Sequence, residues 1–124
     1  MDQPFRILII EDDADTRGNL SEILELDGHE VLAVSSFDEA NSVEGYDIGL
    51  VITDRRLPEG MIEEFIPQLR ANSPRAEIIV VTGFADMQST IAALRMGVTD
   101  YVIKPIIPED IRASVHRIVE KRGL

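Results

Sequence analysis

Short runs of aliphatic residues alternate along the chain with longer stretches in which apolar residues recur every three or four positions. The first pattern is typical of strands and the second of amphipathic helices. Four of the five runs are apolar on successive residues, which indicates a sheet covered on both faces. The five predicted strands are Ile7–Ile10, Val31–Val34, Leu50–Ile52, Ile78–Val81 and Tyr101–Ile103.

The first predicted helix lies between the first two strands. Its apolar residues repeat at i, i+3 and i+4, and they are Leu20, Ile23 and Leu24. Either Asp13 or Asp15 can cap the start of this helix, and Gly28 suits the left-handed position just after its end.

The other four connections are also predicted to be helical. The second, Phe37–Val43, is short, and in the third Pro67 either kinks the helix or marks its true start. Asp86 caps the fourth helix and Pro108 opens the fifth. Their apolar positions are Met61, Phe65, Ile66 and Leu69 in the third, Ile91, Leu94 and Met96 in the fourth, and Ile111, Val115, Ile118 and Val119 in the fifth.

This alternation predicts one domain over residues 1–124, an α/β fold with a doubly wound parallel sheet. Right-handed crossovers place helices on both faces of such a sheet. The functional crevice is then expected beyond the carboxyl ends of the strands.

Composition narrows the classes of function. With 12 Lys and Arg against 23 Asp and Glu, the net charge of −11 repels nucleic acid and anionic membrane surfaces, so we expect this domain to bind neither directly. The absence of cysteine excludes disulfides and zinc-thiolate sites. No apolar run is long enough to cross a bilayer, and we predict a cytoplasmic protein. His29 and His116 have no neighbouring ligand residues and are expected to be solvated.

Polar residues lie just beyond four of the predicted strands and would share one edge of the sheet. Four of them are acids, and crowded carboxylates require a cation. The set comprises Glu11, Asp12 and Asp13 after the first strand, Asp54 after the third, Thr82 after the fourth and Lys104 after the fifth.

Mg²⁺ suits this edge because it prefers one or two carboxylates, a carbonyl, water and phosphate oxygens. We predict Asp12 and Asp54 as direct ligands. Glu11, with its longer side chain, would reach the ion through a water, and the backbone carbonyl of Arg56 would complete the protein ligands. Asp13 is better placed to cap the first helix.

A carboxylate can also act as a nucleophile toward phosphorus and form an acyl phosphate, provided that the charge on the transferring group is neutralised. Mg²⁺ and Lys104 would supply that neutralisation beside Asp54. Thr82 can donate a hydroxyl hydrogen bond to a phosphoryl oxygen, and Gly83 leaves room for the donor.

Together these residues resemble the signature of response-regulator receiver domains of the CheY-like family, over essentially the whole chain. The resemblance implies a five-stranded sheet of order 2-1-3-4-5 with five helices. It rests on Ile7–Asp13, Asp54–Pro58, Val80–Gly83 and Tyr101–Pro105.

In this family, the resemblance implies, Asp54 takes a phosphoryl group from the phosphohistidine of a sensor kinase or phosphotransfer protein. Asp12 and Glu11 would hold Mg²⁺, and Lys104 would contact the phosphoryl group. Such a domain is a switch that catalyses only its own phosphorylation and slow dephosphorylation.

The same resemblance implies how the signal is transmitted. Thr82 would move toward the phosphate and Tyr101 would turn inward, which remodels the face made by the fourth helix, fifth strand and fifth helix. Pro105 would follow a cis peptide bond that directs Lys104 into the crevice. The remodelled face would then act on an output domain or protein target, or pair with a second copy.

Two features depart from the family pattern. The loop Leu57–Gly60 is shorter than usual, so its shape and the position of the Arg56 carbonyl are expected to differ. Arg56 is also long and cationic, and Phe84 is bulky, so together they are expected to shield the acyl phosphate and slow its hydrolysis.

Three other functions compete for the same residues. A phosphohydrolase with an aspartyl phosphate commonly needs an acid two positions after the nucleophile, where this chain has Arg56. A flavodoxin-type module must cradle a phosphate in its first loop, which the acids of Glu11–Asp13 would repel. A degenerate receiver, which binds partners without phosphorylation, stays open because of the short loop.

Overall fold

The structure of the protein is a computed structural model that describes residues 5–43, 47–83 and 87–123. Its strands are β1 (Arg6–Ile10), β2 (Glu30–Val34), β3 (Leu50–Asp54), β4 (Arg56–Leu57), β5 (Gly60–Met61), β6 (Glu77–Thr82) and β7 (Asp100–Ile103). Its helices are α1 (Ala14–Leu26), α2 (Phe37–Asn41), α3 (Ile66–Asn72), α4 (Met87–Arg95) and α5 (Pro108–Lys121), with a 3₁₀ turn at Ile62–Glu64.

The five long strands form one parallel sheet in the order β2-β1-β3-β6-β7. Counted without the short ribbon β4–β5, this is the predicted order 2-1-3-4-5, and the predicted fold class is confirmed. Within the described ranges, no helix is long and apolar enough to span a membrane.

Successive side chains of the central strands enter two separate cores, one on each face of the sheet. In β1, Ile7 and Ile9 lie on the face of the sheet that α1 and α5 cover. Leu8 and Ile10 lie on the opposite face, which α2, α3 and α4 cover. Because the central strands β1, β3 and β6 are covered on both faces, they are apolar on almost every residue.

Helix α1 confirms the predicted start and end. Asp13 is its N-cap and accepts a hydrogen bond from the Thr16 N–H at 2.9 Å, so of the two candidate caps Asp13 is the correct one. Gly28 follows the last turn at φ 89°, a conformation that favours glycine because it has no Cβ.

The third helix begins later than its apolar pattern indicated. Met61 lies in β5, and Phe65 precedes α3 after the 3₁₀ turn. Pro67 occupies the first turn of α3, where its missing N–H has no partner to lose, so it marks the start and does not kink the helix.

Helix α4 packs on the sheet through a small residue. Ala93 is fully buried, whereas the predicted apolar positions Ile91 and Leu94 are exposed. Asp86, the predicted cap of this helix, lies outside the described residues. Helix α5 instead buries Ile111, Val115 and Ile118, as its pattern predicted.

His29 was predicted to be solvated, and that prediction is wrong. Its ring is half-buried and meets the edge of Phe5, with 6.0 Å between the ring centroids. Burial lowers the pKa of His29, because the charged imidazolium is poorly solvated there.

Gly49 is required by the close approach of Phe5. A Cβ at residue 49 would lie 2.4 Å from Cε1 of Phe5, a buried side chain that already contacts His29. We expect Gly49→Ala to lower the free energy of unfolding by about 1–3 kcal/mol, as overpacked cores do. Denaturant titration measures the change.

Gly18 provides the matched control for that substitution. It lies inside α1, and apart from its chain neighbours and the backbone of α1 no atom lies within 4 Å of the position that a Cβ would occupy, so Gly18→Ala should raise stability by up to about 1 kcal/mol through helix propensity alone. Equal effects of the two alanines would contradict the steric argument for Gly49.

Candidate functional site

The predicted site residues lie where four strands end at one edge of the sheet. Backbone pairing continues one residue past the strands: Glu11 N–H donates to Val34 O at 3.0 Å, and Lys104 N–H donates to Thr82 O at 2.7 Å. Asp54 is itself the last residue of β3. The backbone hydrogen bonds of the sheet therefore fix where these residues lie.

Three acids meet at this edge, as the sequence predicted. Glu11, Asp12 and Asp54 each offer a carboxylate oxygen, and these oxygens lie within 4.8 Å of one another. Glu11 is only 2% exposed, whereas Asp12 is exposed. Carboxylates this close repel one another unless a cation lies between them, and a hard divalent cation prefers such oxygen donors. The donor set therefore fits a metal site.

Lys104 brings a positive charge into the same cluster. Its Nζ lies 2.9 Å from Oε1 of Glu11 and 3.3 Å from Oδ2 of Asp54. Burial alone would lower the pKa of Lys104, but the hydrogen bond to Glu11 and the nearby carboxylates outweigh it, and the pKa is raised. Burial raises the pKa of Glu11 against the opposing effects of Lys104 and the Asp13 N–H.

The loop between β1 and α1 is held by contacts on both of its sides. Oε2 of Glu11 accepts from the Asp13 N–H at 3.1 Å, and Arg17 donates to the backbone carbonyl of Glu11 at 2.8 Å. Hydrogen bonds from Thr16 hold the pKa of Asp13 below its usual value, so this residue acts as a charged cap. Sequence reasoning missed Arg17, since nothing in the pattern of α1 marks it as pointing back to the loop.

Arg56 lies in the short ribbon that follows β3. The Ile62 N–H donates to Arg55 O at 2.7 Å, whereas the Arg55 N–H donates to Val81 O, so a single backbone hydrogen bond joins Arg55 and Ile62. The next pair, Arg56 and Met61, is then a non-hydrogen-bonded pair of the antiparallel ribbon. The carbonyl of Arg56 therefore points away from Met61, and its side chain is exposed.

The remaining predicted residues lie nearby. Thr82 is buried at the end of β6, and the peptide bond between Lys104 and Pro105 is cis. Tyr101 is half-buried and packs against the core beneath α2, α3 and α4. Phe84 lies outside the described residues.

A doubly wound sheet with three acids and a lysine at its carboxyl edge defines a receiver domain of two-component signalling, a switch and not a true enzyme. The sequence model of the response regulator receiver domain matches residues 7–116. The chain therefore belongs to this family.

Curated relatives agree with this assignment. The hydrogenase transcriptional regulatory protein HoxA of Cupriavidus necator is 29% identical over 125 residues, which cover 99% of this chain and 26% of HoxA. The C4-dicarboxylate transport transcriptional regulatory protein DctD of Rhizobium meliloti is 32% identical over 119 residues, covering 95% of this chain and 26% of DctD. The chain thus spans about a quarter of the length of these relatives.

Solved structures share the fold over almost the whole chain. The CheY-like receiver domain protein of Methanospirillum hungatei JF-1 superimposes with a TM-score of 0.88 at 27% identity and covers 98% of both chains. The BeF3-activated DrrB receiver domain gives 0.83 at 27% identity, covering 95% of this chain and 99% of that one. The beryllofluoride-activated NtrC4 receiver domain, described as a dimer, gives 0.87 at 25%, covering 94% and 97%.

Proposed function

We propose that Asp54 accepts a phosphoryl group from the phosphohistidine of a sensor kinase or phosphotransfer protein in the cytoplasm. One observation carries the proposal: the Lys104 ammonium lies 3.3 Å from the Asp54 carboxylate inside a cluster of three acids. In this proposal Mg²⁺ is held by Asp12 and Asp54 directly, by Glu11 through a water, and by the carbonyl of Arg56.

In the transfer step, an Asp54 carboxylate oxygen forms a bond to phosphorus while the bond between phosphorus and the donor nitrogen breaks. The electron pair of that bond returns to the donor imidazole. When bound, Mg²⁺ supplies positive charge to the oxygens of the transferring group. Lys104 stabilises the same charge from its fixed position beside Asp54, and the buried Glu11 keeps Lys104 oriented.

Transmission of the signal is proposed to follow from Thr82 and Tyr101. A hydrogen bond from the Thr82 hydroxyl to a phosphoryl oxygen would draw β6 toward the site, and Tyr101 would follow. Exposed apolar side chains support this proposal. Large ones lie on α4, at the end of β7 and just before α5, and they are Met87, Ile91, Leu94, Ile103 and Ile107.

That face would bind an output domain, a protein target or a second copy of the chain. Pairing of copies is compatible with the dimer described for the activated NtrC4 receiver. Light scattering before and after phosphorylation separates the cases, since an unchanged mass would exclude pairing. Shielding of the acyl phosphate by Arg56 and Phe84 stays a prediction.

The proposed chemistry is tested by incubating the chain with acetyl phosphate and measuring the intact mass, once with Mg²⁺ and once with a chelator. We expect a single phosphoryl adduct that forms only with Mg²⁺, because the acid cluster requires a cation before it can admit an anionic donor. If no adduct forms and calorimetry detects no Mg²⁺ binding, the chain is instead a degenerate receiver that binds partners without phosphorylation.

A further inference from the structure

Two side chains, those of Ser36 and Glu59, cap the amino end of helix α2. Ser36 accepts a hydrogen bond from the Glu39 N–H at 3.1 Å, in the usual manner of a cap residue. The two preceding N–H groups, of Phe37 and Asp38, donate to the two carboxylate oxygens of Glu59 at 3.2 and 2.9 Å. Glu59 thus satisfies two N–H groups that the helix cannot pair itself.

Glu59 lies at the tip of the ribbon whose base adjoins the acid cluster. The ribbon strands Arg56–Leu57 and Gly60–Met61 flank the tip. At the base, the Arg55 N–H donates to Val81 O at 2.9 Å, one residue after Asp54. Ribbon and site are therefore one continuous piece of chain, fastened to the sheet at one end and to α2 at the other.

Helix α2 is a firm anchor for that tip. The ring of Phe37 is buried and stacks on Phe65, with 4.4 Å between centroids and 24° between planes. At the other end of α2, the Asn41 side chain accepts hydrogen bonds from Gln68 at 3.0 Å and Asn72 at 2.7 Å. Helix α2 would thus keep its place on the core without Glu59.

We propose that Glu59 is a positioning residue of the metal site: by joining the ribbon tip to α2, it holds the Arg56 carbonyl where it can bind Mg²⁺. The inference deepens the proposed function and rests on it. Arg56 is three residues from Glu59 in a ribbon of two-residue strands, so a displaced tip displaces the carbonyl.

The charge of Glu59 agrees with this role. Slight burial raises its pKa, but the hydrogen bonds from the Asp38 and Phe37 N–H groups outweigh burial, and the pKa lies below its usual value. The residue is therefore a carboxylate near neutral pH and can accept both hydrogen bonds at once.

Three variants of the chain test the inference by calorimetric titration with MgCl₂. Glu59→Ala removes the link, and Glu59→Asp keeps the charge but shortens the reach by one methylene. Ser36→Ala removes the other half of the same cap without touching the ribbon. We expect Glu59→Ala and Glu59→Asp to weaken Mg²⁺ binding by about tenfold, as loss of a ligand-orienting contact does. Ser36→Ala should bind Mg²⁺ like the wild type.

Thermal unfolding of the same samples separates positioning from stability. Ser36→Ala and Glu59→Ala both weaken the start of α2, so both should melt earlier, but only the changes at Glu59 should alter Mg²⁺ affinity. Mg²⁺ affinity within twofold of the wild type for both Glu59 variants would overturn the inference, as would equal weakening by Ser36→Ala. If wild-type chain binds no Mg²⁺, the proposed metal site itself is wrong and the inference is overturned with it.

Discussion

Asp54→Asn is expected to abolish the phosphoryl adduct that acetyl phosphate forms on the wild-type chain. An amide has almost the same shape as a carboxylate but is not a nucleophile toward phosphorus. The variant should still fold, because asparagine keeps an oxygen that can accept from Lys104 and removes one of three crowded negative charges. Intact mass spectrometry measures the adduct, and thermal unfolding measures the fold.

Asp12→Asn is the control for that loss of charge. It removes the same charge from the same cluster but leaves the nucleophile in place, so the adduct should still form at a higher Mg²⁺ concentration. An adduct of wild-type yield on Asp54→Asn would place the phosphoryl group on another residue and refute the assignment of Asp54.

Lys104→Met is expected to change two measurements in opposite directions. The initial rate of phosphorylation at saturating Mg²⁺ should fall by about 10²–10³-fold, the usual cost of losing a group that stabilises developing charge. Mg²⁺ affinity near pH 8 should rise, because in the wild-type chain the Lys104 ammonium bonds to Glu11 and Asp54, two of the three candidate ligands. The apolar methionine side chain of the variant cannot compete with Mg²⁺ for these two carboxylates.

Protonation of Glu11 gives the Mg²⁺ affinity of Lys104→Met a pH dependence. Burial raises the pKa of Glu11, and Lys104 opposes that rise, so in Lys104→Met the pKa of Glu11 should lie still higher. A protonated Glu11 is a poor ligand, and the affinity of the variant for Mg²⁺ should therefore fall more steeply as pH decreases.

The second lysine of the chain supplies the control. Lys121 is 72% exposed at the end of α5, and its nearest acid is Glu77 at 4.0 Å. Lys121→Met makes the same chemical change far from the site and should leave both measurements unaltered. Weaker Mg²⁺ binding by Lys104→Met alone would show that the lysine holds the carboxylates together and does not compete with the cation.

The sheet and the main site residues were predictable from the sequence because they depend on local patterns. A strand buried on both faces is mainly apolar, as Leu50–Ile52 is, and the charged residue that ends it, here Asp54, lies at the sheet edge. The positions of Glu11, Asp54 and Lys104 along the chain were therefore enough to predict them as site residues.

The supporting contacts could not be read in the same way. Glu59 reaches N–H groups 21 and 22 residues earlier in the chain, and Arg17 turns back onto a carbonyl six residues before it. Neither residue type carries a local signal for such a contact. His29 was misjudged for the same reason, since its partner Phe5 meets it only where the starts of β1 and β2 lie side by side.

Periodicity also misjudged the packing of α4. Ile91 and Leu94 are the large apolar residues of this helix, yet the helix packs through Ala93. A small residue at the contact brings the helix close to the sheet, and the larger side chains are then left at the surface. The sequence pattern records which residues are apolar but not which of them the neighbouring elements leave room for.

The unequal burial of α4 and α5 sets the cost of moving each helix. Of the described side chains of α4, only Ala93 is fully buried, and re-exposing one methyl group costs about 0.8 kcal/mol. Re-exposing Ile111, Val115 and Ile118 of α5 would cost about 1.5–3 kcal/mol each. A single hydrogen bond to a charged group, worth about 1.5–3 kcal/mol, exceeds the first of these burial costs but not the sum for α5.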